Sequence, residues 1–282
     1  MKAHGAEFNN PLLWYDLAYS NAYYQLDDNE FVLARKISLG TSHCHLGHMR
    51  KPVLDQRDLD YARKFFPAWR SIAGENLVDP LRFSVPDPFY MTFVREPVAR
   101  VFSHYQDDVQ RGGKTITFEQ MLATDGVLEN YQVKCLAGRA DLGRAKQVLE
   151  KFNFVGLTEK FDLSLHVLGK LCPVPLNLNY NRKVTAKDNT IKNALAADAR
   201  LVDMTREKNQ LDLALYDFAV REIFPKFCAQ AGFSPTDKVA SFDRYPSDRR
   251  PLFLLHRLYN KAFFRQISKL YNRRREREQL SQ

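Results

Sequence analysis

Cysteine is scarce and scattered in this 282-residue chain: Cys44, Cys135, Cys172 and Cys228, with no CxxC pair among them. That spacing gives neither a thiolate zinc site nor a disulfide framework, and buried free thiols in a reducing compartment are the expectation. No segment approaches the roughly 20 consecutive apolar residues a membrane helix requires. The opening stretch MKAHGAEFNNPLLWYDLAY lacks the apolar core of a secretory signal. A cytoplasmic location is therefore expected, with any membrane association falling to the C-terminal tail. There is no internal repeat, and neither a Walker loop nor a magnesium-binding aspartate pattern, which sets a P-loop kinase behind the readings below.

Net charge is also nearly missing from most of the chain. The net charge is +9, but residues 249–282 hold ten Lys/Arg against two acids, so the first 248 residues carry only +1. A nucleic-acid-binding body is not supported by that distribution. Within the tail, Leu252, Leu255, Tyr259, Phe263, Ile267 and Leu270 recur at helical spacing among the arginines and lysines. This predicts a basic amphipathic helix over 252–282, packed on the body or bound to an anionic membrane surface or acidic glycan. A polar, proline-containing linker is expected over 233–251, and one α/β domain over 1–232.

What the body does contain is an ordinary soluble balance, 45% hydrophobic and 27% charged, enough for a sizeable core. A strand and a histidine-rich loop are expected in 31–48. The stretch PDPFYMTFVREP (86–97) reads as a turn and a buried strand, followed by a helix over 98–111. TFEQMLA (117–123) starts a helix with Thr117 as cap and Gln120 three residues on. Helices are expected near 126–137 and 141–151, a second buried strand in 152–159, a helix near 160–171 and one long helix over 197–230. Strands alternating with helices predict a parallel sheet flanked by helices, with ligands beyond the carboxyl ends of its strands.

Arg95 and the 156–159 turn fall at such ends. A guanidinium offers a planar fork of donors to a phosphate, and the helix after Pro97 is expected to present free N–H groups to the same anion. Ser103 lies two turns further on, with Arg100 and His104 near it. The plain alternatives are a surface salt bridge for the arginine and a space-filling role for the serine.

The segment FYMTFVREPVARVFSHY resembles the second nucleotide-binding motif of the carbohydrate (membrane-type) sulfotransferases, the group related to heparan sulfate 2-O-sulfotransferase. That motif is a buried strand and then R-[DE]-P-x-x-R-x-x-S-x-Y, matched by Arg95, Glu96, Pro97, Arg100, Ser103 and Tyr105. ENYQVKCLAGR with Asn130 and Gln132, FNFVGLTEKFDLSLHVL and LNLNYNRK resemble further segments of the family in order, over about residues 35–232. The resemblance implies a P-loop NTPase-like α/β fold. It also implies transfer of a sulfuryl group from PAPS to a carbohydrate or glycolipid hydroxyl. Arg95 and Ser103 would bind the 3′-phosphate of PAPS, with Arg100 beside them.

GTSHCHLGHMR (40–50) carries three of the seven histidines. His43 and His45 point to one face of an extended segment and could chelate, but no acidic or thiol partner except Cys44 is close, so no metal is expected. A surface loop with chance histidines is the plain alternative. The resemblance implies instead that His43, or else His45, is the general base for the acceptor hydroxyl, a task suited to an imidazole.

One family motif has no counterpart: the strand, P-K-x-[GA]-[GST]-[ST] loop and helix that cradle the 5′-phosphosulfate. RKPVLDQ (50–56) and RGGKTIT (111–117) lack its context. Two expectations follow, that the loop lies upstream of Met1 or that the chain is an inactive nucleotide- or glycan-binding relative. The first is favoured, because a central strand of a parallel sheet is hard to dispense with.

Overall fold

In a computed structural model of the chain, the residues described are 56, 78–84, 88–110, 113–125, 128–173, 178 and 188–242. The chain divides into two compact units, one of Met1–Met91, Cys172–Arg182 and Ser241–Gln282, the other of Thr92–Leu171 and Lys183–Ala240. Little of the first is described: a 3₁₀ turn at Pro80–Arg82 and a hydrogen bond from the Ser84 N–H to Gln56 Oε1 at 3.0 Å. The expected strand and histidine loop of 31–48 and the basic helix of 252–282 lie outside the described residues.

The described structure is mixed α/β and mostly helical, with a small parallel sheet of two strands, β1 (Met91–Val94) and β2 (Phe154–Leu157). All eight strand residues are buried, as a parallel sheet covered on both faces requires. Four helices cross from β1 to β2: α1 (Pro97–Gln110), α2 (Phe118–Thr124), α3 (Tyr131–Ala137) and α4 (Leu142–Glu150). After β2 and a 3₁₀ turn come α5 (Phe161–Leu171), α6 (Thr190–Ala197), α7 (Ala199–Lys208), α8 (Gln210–Phe218) and α9 (Phe224–Ala231).

Local chemistry accounts for the element ends. Pro97 opens α1, where its missing N–H is one the helix would leave unbonded anyway. Thr117 and Gln120 form a reciprocal capping box at the start of α2, as expected. Asp141 caps α4 and Asp198 caps α7 more simply, each carboxylate accepting one N–H, that of Arg144 and of Leu201.

The single helix expected over 197–230 is three helices joined by irregular turns. Its first break is at Asn209, a fully buried side chain that donates to the Thr205 carbonyl at 3.0 Å and accepts the Asn130 N–H at 3.0 Å. Its second is a π-helical turn, Ala219–Ile223, directly ahead of Pro225. Proline has no N–H to give the carbonyl four residues back and crowds it, so the backbone widens there.

Two apolar clusters hold the second unit together. In one, α1 packs Val98, Val101 and Phe102 on Phe118, Met121 and Leu122 of α2, with Leu195 and Leu201 from α6 and α7. Phe102 and Phe118 meet edge to face at 5.3 Å, and the Tyr105 hydroxyl donates to the Ile116 carbonyl at 3.0 Å. In the other, the strands bring Phe93 to 5.6 Å from Phe154, which in turn lies 6.0 Å from Phe227 of α9. Each such phenyl ring contributes about 1.5–3 kcal/mol by its burial. Gly156 sits where a Cβ would meet the Phe93 ring at 2.6 Å, so glycine is what lets the ring approach β2 this closely.

Of the segment expected as a linker, 234–240 is tied to α5 and its preceding turn: Lys160 Nζ donates to the Pro235 carbonyl at 2.7 Å, and a ring nitrogen of His166 lies 2.9 Å from the Ala240 carbonyl. Among the described residues, no helix is long and apolar enough to cross a membrane.

Candidate functional site

The carboxyl ends of β1 and β2 lie side by side, and each is closed by one side chain. At β1, the Arg95 N–H donates to Gln132 Oε1 at 2.9 Å, and Gln132 Nε2 donates to the Arg95 carbonyl at 2.8 Å. At β2, the Leu157 N–H donates to Ser164 Oγ at 3.0 Å, and the Ser164 hydroxyl reaches the Leu157 carbonyl at 3.1 Å. In both cases a side chain supplies the donor and the acceptor that another strand would supply, which buried backbone groups require.

Arg95 is half-buried. Burial pushes its guanidinium pKa down, the charge of Glu159 pulls it back up, Arg100 pushes it down and Glu96 pulls it up. Among the described residues the guanidinium makes no hydrogen bond and no ion pair. A cation taken partly out of water without a fixed partner is costly in isolation, and that cost falls when an anion arrives.

The neighbouring helix terminus differs from expectation. The first N–H groups of α1 are not free: Glu96 Oε1 accepts from Val98 at 3.1 Å and Glu96 Oε2 from Ala99 at 2.6 Å. The chain's own carboxylate therefore holds the position at which the helix dipole would favour an incoming anion. The Glu96 N–H donates to Glu159 Oε1 at 2.9 Å, and the Tyr216 hydroxyl donates to Glu159 Oε2 at 2.9 Å. Burial, and then the Glu159 carboxylate, push the Tyr216 pKa well above its ordinary value, so this phenol stays a donor. The strand-end site thus sets one guanidinium beside two carboxylates.

Arg100 is buried, 5.0 Å over the Tyr131 ring, and its charge acts on the buried Asp212. Ser103 is half-buried, about 9 Å along the helix axis from Pro97 at 1.5 Å per residue. Its hydroxyl makes no hydrogen bond among the described residues. Arg95 and Arg100 therefore lie at the β1–α1 junction, with Arg100 turned into the protein, and Ser103 lies at mid-length of α1. His43 and His45 lie outside the described residues.

Tyr216 and Asp212 were not singled out from the sequence, and Glu96 and Glu159 entered it only as positions of matched segments, with no role given to either. Glu159 carried a signal, since it ends a buried strand and turn of the same type as the one that exposed Arg95. Tyr216 and Asp212 carried none, because they arrive from a helix more than fifty residues away. Further along α1, His104, Asp108 and the α2 cap Asp125 bring three ligand atoms within 4.8 Å of one another. The Lys114 ammonium, 2.6 Å from Asp108 Oδ2, supplies positive charge to that group. A cleft of about 410 Å³ opens between α2, α7 and α8, and Leu122, Met204, Leu211, Glu119, Glu129 and Glu207 are among the residues that line it. Cys228 is buried, and burial pushes its thiol up to about 11, which removes it as a nucleophile at neutral pH. No protein-family model matches the chain, and no curated protein matches it.

Proposed function

We propose that this protein is a sulfotransferase of P-loop NTPase-like fold that moves a sulfuryl group from PAPS to a carbohydrate or glycolipid hydroxyl. Arg95 and Ser103 hold the donor's 3′-phosphate, and His43 or His45 accepts the hydroxyl proton. The observation that carries this reading is Arg95 itself. It is a half-buried guanidinium at the carboxyl end of a parallel strand, where α/β sheets bind ligands. The guanidinium makes no hydrogen bond or ion pair among the described residues. The Ser103 hydroxyl is in the same condition two helical turns on. Arg100 is assigned a supporting charge from within the protein, since its guanidinium is buried against Tyr131.

The test is a calorimetric titration with 3′,5′-ADP, the desulfated product of the donor. Wild type is expected to bind in the micromolar range, with Arg95→Ala weakening binding by at least about tenfold, as removal of a charge-assisted phosphate contact does. Ser103→Ala is expected to weaken it less. A folded wild type that does not bind, or an Arg95→Ala variant that binds equally, overturns the reading. A second reading, a relative that binds nucleotide without transferring sulfate, is favoured by one observation: the Glu96 carboxylate occupies the α1 N–H groups. Transfer from isotopically labelled donor to a panel of glycan acceptors separates the two.

A further inference from the structure

We propose that Gln132 is a positioning residue for Arg95, fixing the direction in which the guanidinium leaves the sheet; the inference rests on Arg95 being a phosphate ligand. Arginine has four rotatable side-chain bonds, so its head is placed well only if its backbone is fixed first. Gln132 does this from outside the strand, bonding both the N–H and the carbonyl of Arg95, at 2.9 and 2.8 Å.

Gln132 is itself held. Its own N–H donates to Asp212 Oδ2 at 3.1 Å and the next N–H, of Val133, to Asp212 Oδ1 at 2.8 Å. Asp212 is fully buried. The frame that orients Arg95 is therefore the start of α3, pinned to α8, in addition to the strand that carries it. The bland reading, that Gln132 only satisfies two backbone groups, fits the matching clamp on β2 better. There Ser164 holds Leu157, whose side chain is 1% exposed and stays in the core. At β1 the clamped residue is the one whose side chain departs from the core with a charge.

The experiment measures 3′,5′-ADP affinity of wild type, Arg95→Ala, Gln132→Met and Gln132→Glu between about pH 5 and pH 8, with thermal unfolding of each as a folding control. Gln132→Met keeps the shape and loses both hydrogen bonds, and is expected to bind about tenfold more weakly at every pH, the scale seen when a supporting residue behind a ligand is removed. Gln132→Glu keeps the acceptor for the Arg95 N–H but lacks a donor for the carbonyl until it is protonated. Its affinity relative to wild type is expected to recover as pH falls, while the Gln132→Met ratio stays flat; a general loss of stability would not produce that divergence. Folded Gln132→Met binding within about twofold of wild type overturns the positioning role and leaves the Arg95 reading intact. So does a Gln132→Glu ratio that does not change with pH. Equal binding by wild type and Arg95→Ala, or no binding by wild type, overturns both.

Discussion

Asn130 and Asp212 start each other's helices. The Asn130 side-chain oxygen accepts the Leu211 and Asp212 N–H groups at 3.0 and 3.2 Å, at the beginning of α8. The Asp212 carboxylate accepts the Gln132 and Val133 N–H groups at 3.1 and 2.8 Å, at the beginning of α3. Four N–H groups that helix ends leave without backbone partners are satisfied by two side chains 82 residues apart. This joint fixes Gln132, and through it the end of β1.

Asp212→Ala is expected to lower stability by about 2–4 kcal/mol, since it strands two buried donors and opens a cavity. The charge itself has a pH signature. Burial raises the Asp212 pKa above 3.8, with Arg100 and the two N–H groups opposing. A carboxyl whose folded pKa is raised is held protonated by the folded state when the unfolded chain has already released the proton. Stability then falls as pH rises from 3.8 through the raised value, and the loss is complete above it. Urea unfolding of wild type and Asp212→Asn across this range checks the sign. Wild type should gain on the variant as pH falls, and a gap that is constant or moves the other way rejects the assignment.

Gly156 permits the Phe93 ring to cover β2, because an added Cβ would come to 2.6 Å from a ring carbon. Gly156→Ala is expected to cost about 1–3 kcal/mol as overpacking. Combining it with Phe93→Leu should return part of that loss, and a double-mutant cycle with no coupling would show that the ring does not set the cost.

Much of this frame was legible in residue patterns, and the reasons are local. β1 and β2 stand out as short apolar runs closed by a proline or a turn, and Thr117 with Gln120 announces α2. Periodicity failed at Asn209 and at Ala219–Ile223, because apolar residues keep their helical spacing straight through both breaks; only the bonds of Asn209 to distant partners and the geometry before Pro225 interrupt the helix. Helix α6 was missed for want of a strong start signal, although Asp188 accepts the Thr190 N–H at 3.0 Å. The free N–H groups expected beside Arg95 were a reading of helix geometry without side chains. Glu96 is close enough in sequence to fold back and take them.

Ser164 is buried and bonds both backbone groups of Leu157. Ser164→Ala removes the acceptor of that N–H at the end of β2 and is expected to cost about 1–3 kcal/mol. Ser164→Cys, similar in size but a weaker donor and acceptor, should fall between the two. A loss below about 0.5 kcal/mol in Ser164→Ala by denaturant titration would mean that water replaces the hydroxyl there.

Glu159 gives the sharpest test of the charge balance at the strand ends. Its carboxylate accepts the Glu96 N–H and the Tyr216 hydroxyl, and its charge bears on Arg95. Gln in its place keeps the shape: one oxygen still accepts the Glu96 N–H, and the amide nitrogen can donate to the Tyr216 oxygen. What is lost is a negative charge near the guanidinium proposed to bind phosphate. An anion arriving there should then meet less repulsion, and Glu159→Gln is expected to tighten 3′,5′-ADP binding by about three- to tenfold, a Coulomb effect of ordinary size for a partly buried pair. The gain should shrink as salt is added, to the extent that solvent reaches the site. If Glu159→Gln instead abolishes binding while the protein stays folded, Glu159 acts on the ligand directly, as a hydrogen-bond acceptor or a base, and the anion is not held by Arg95 alone.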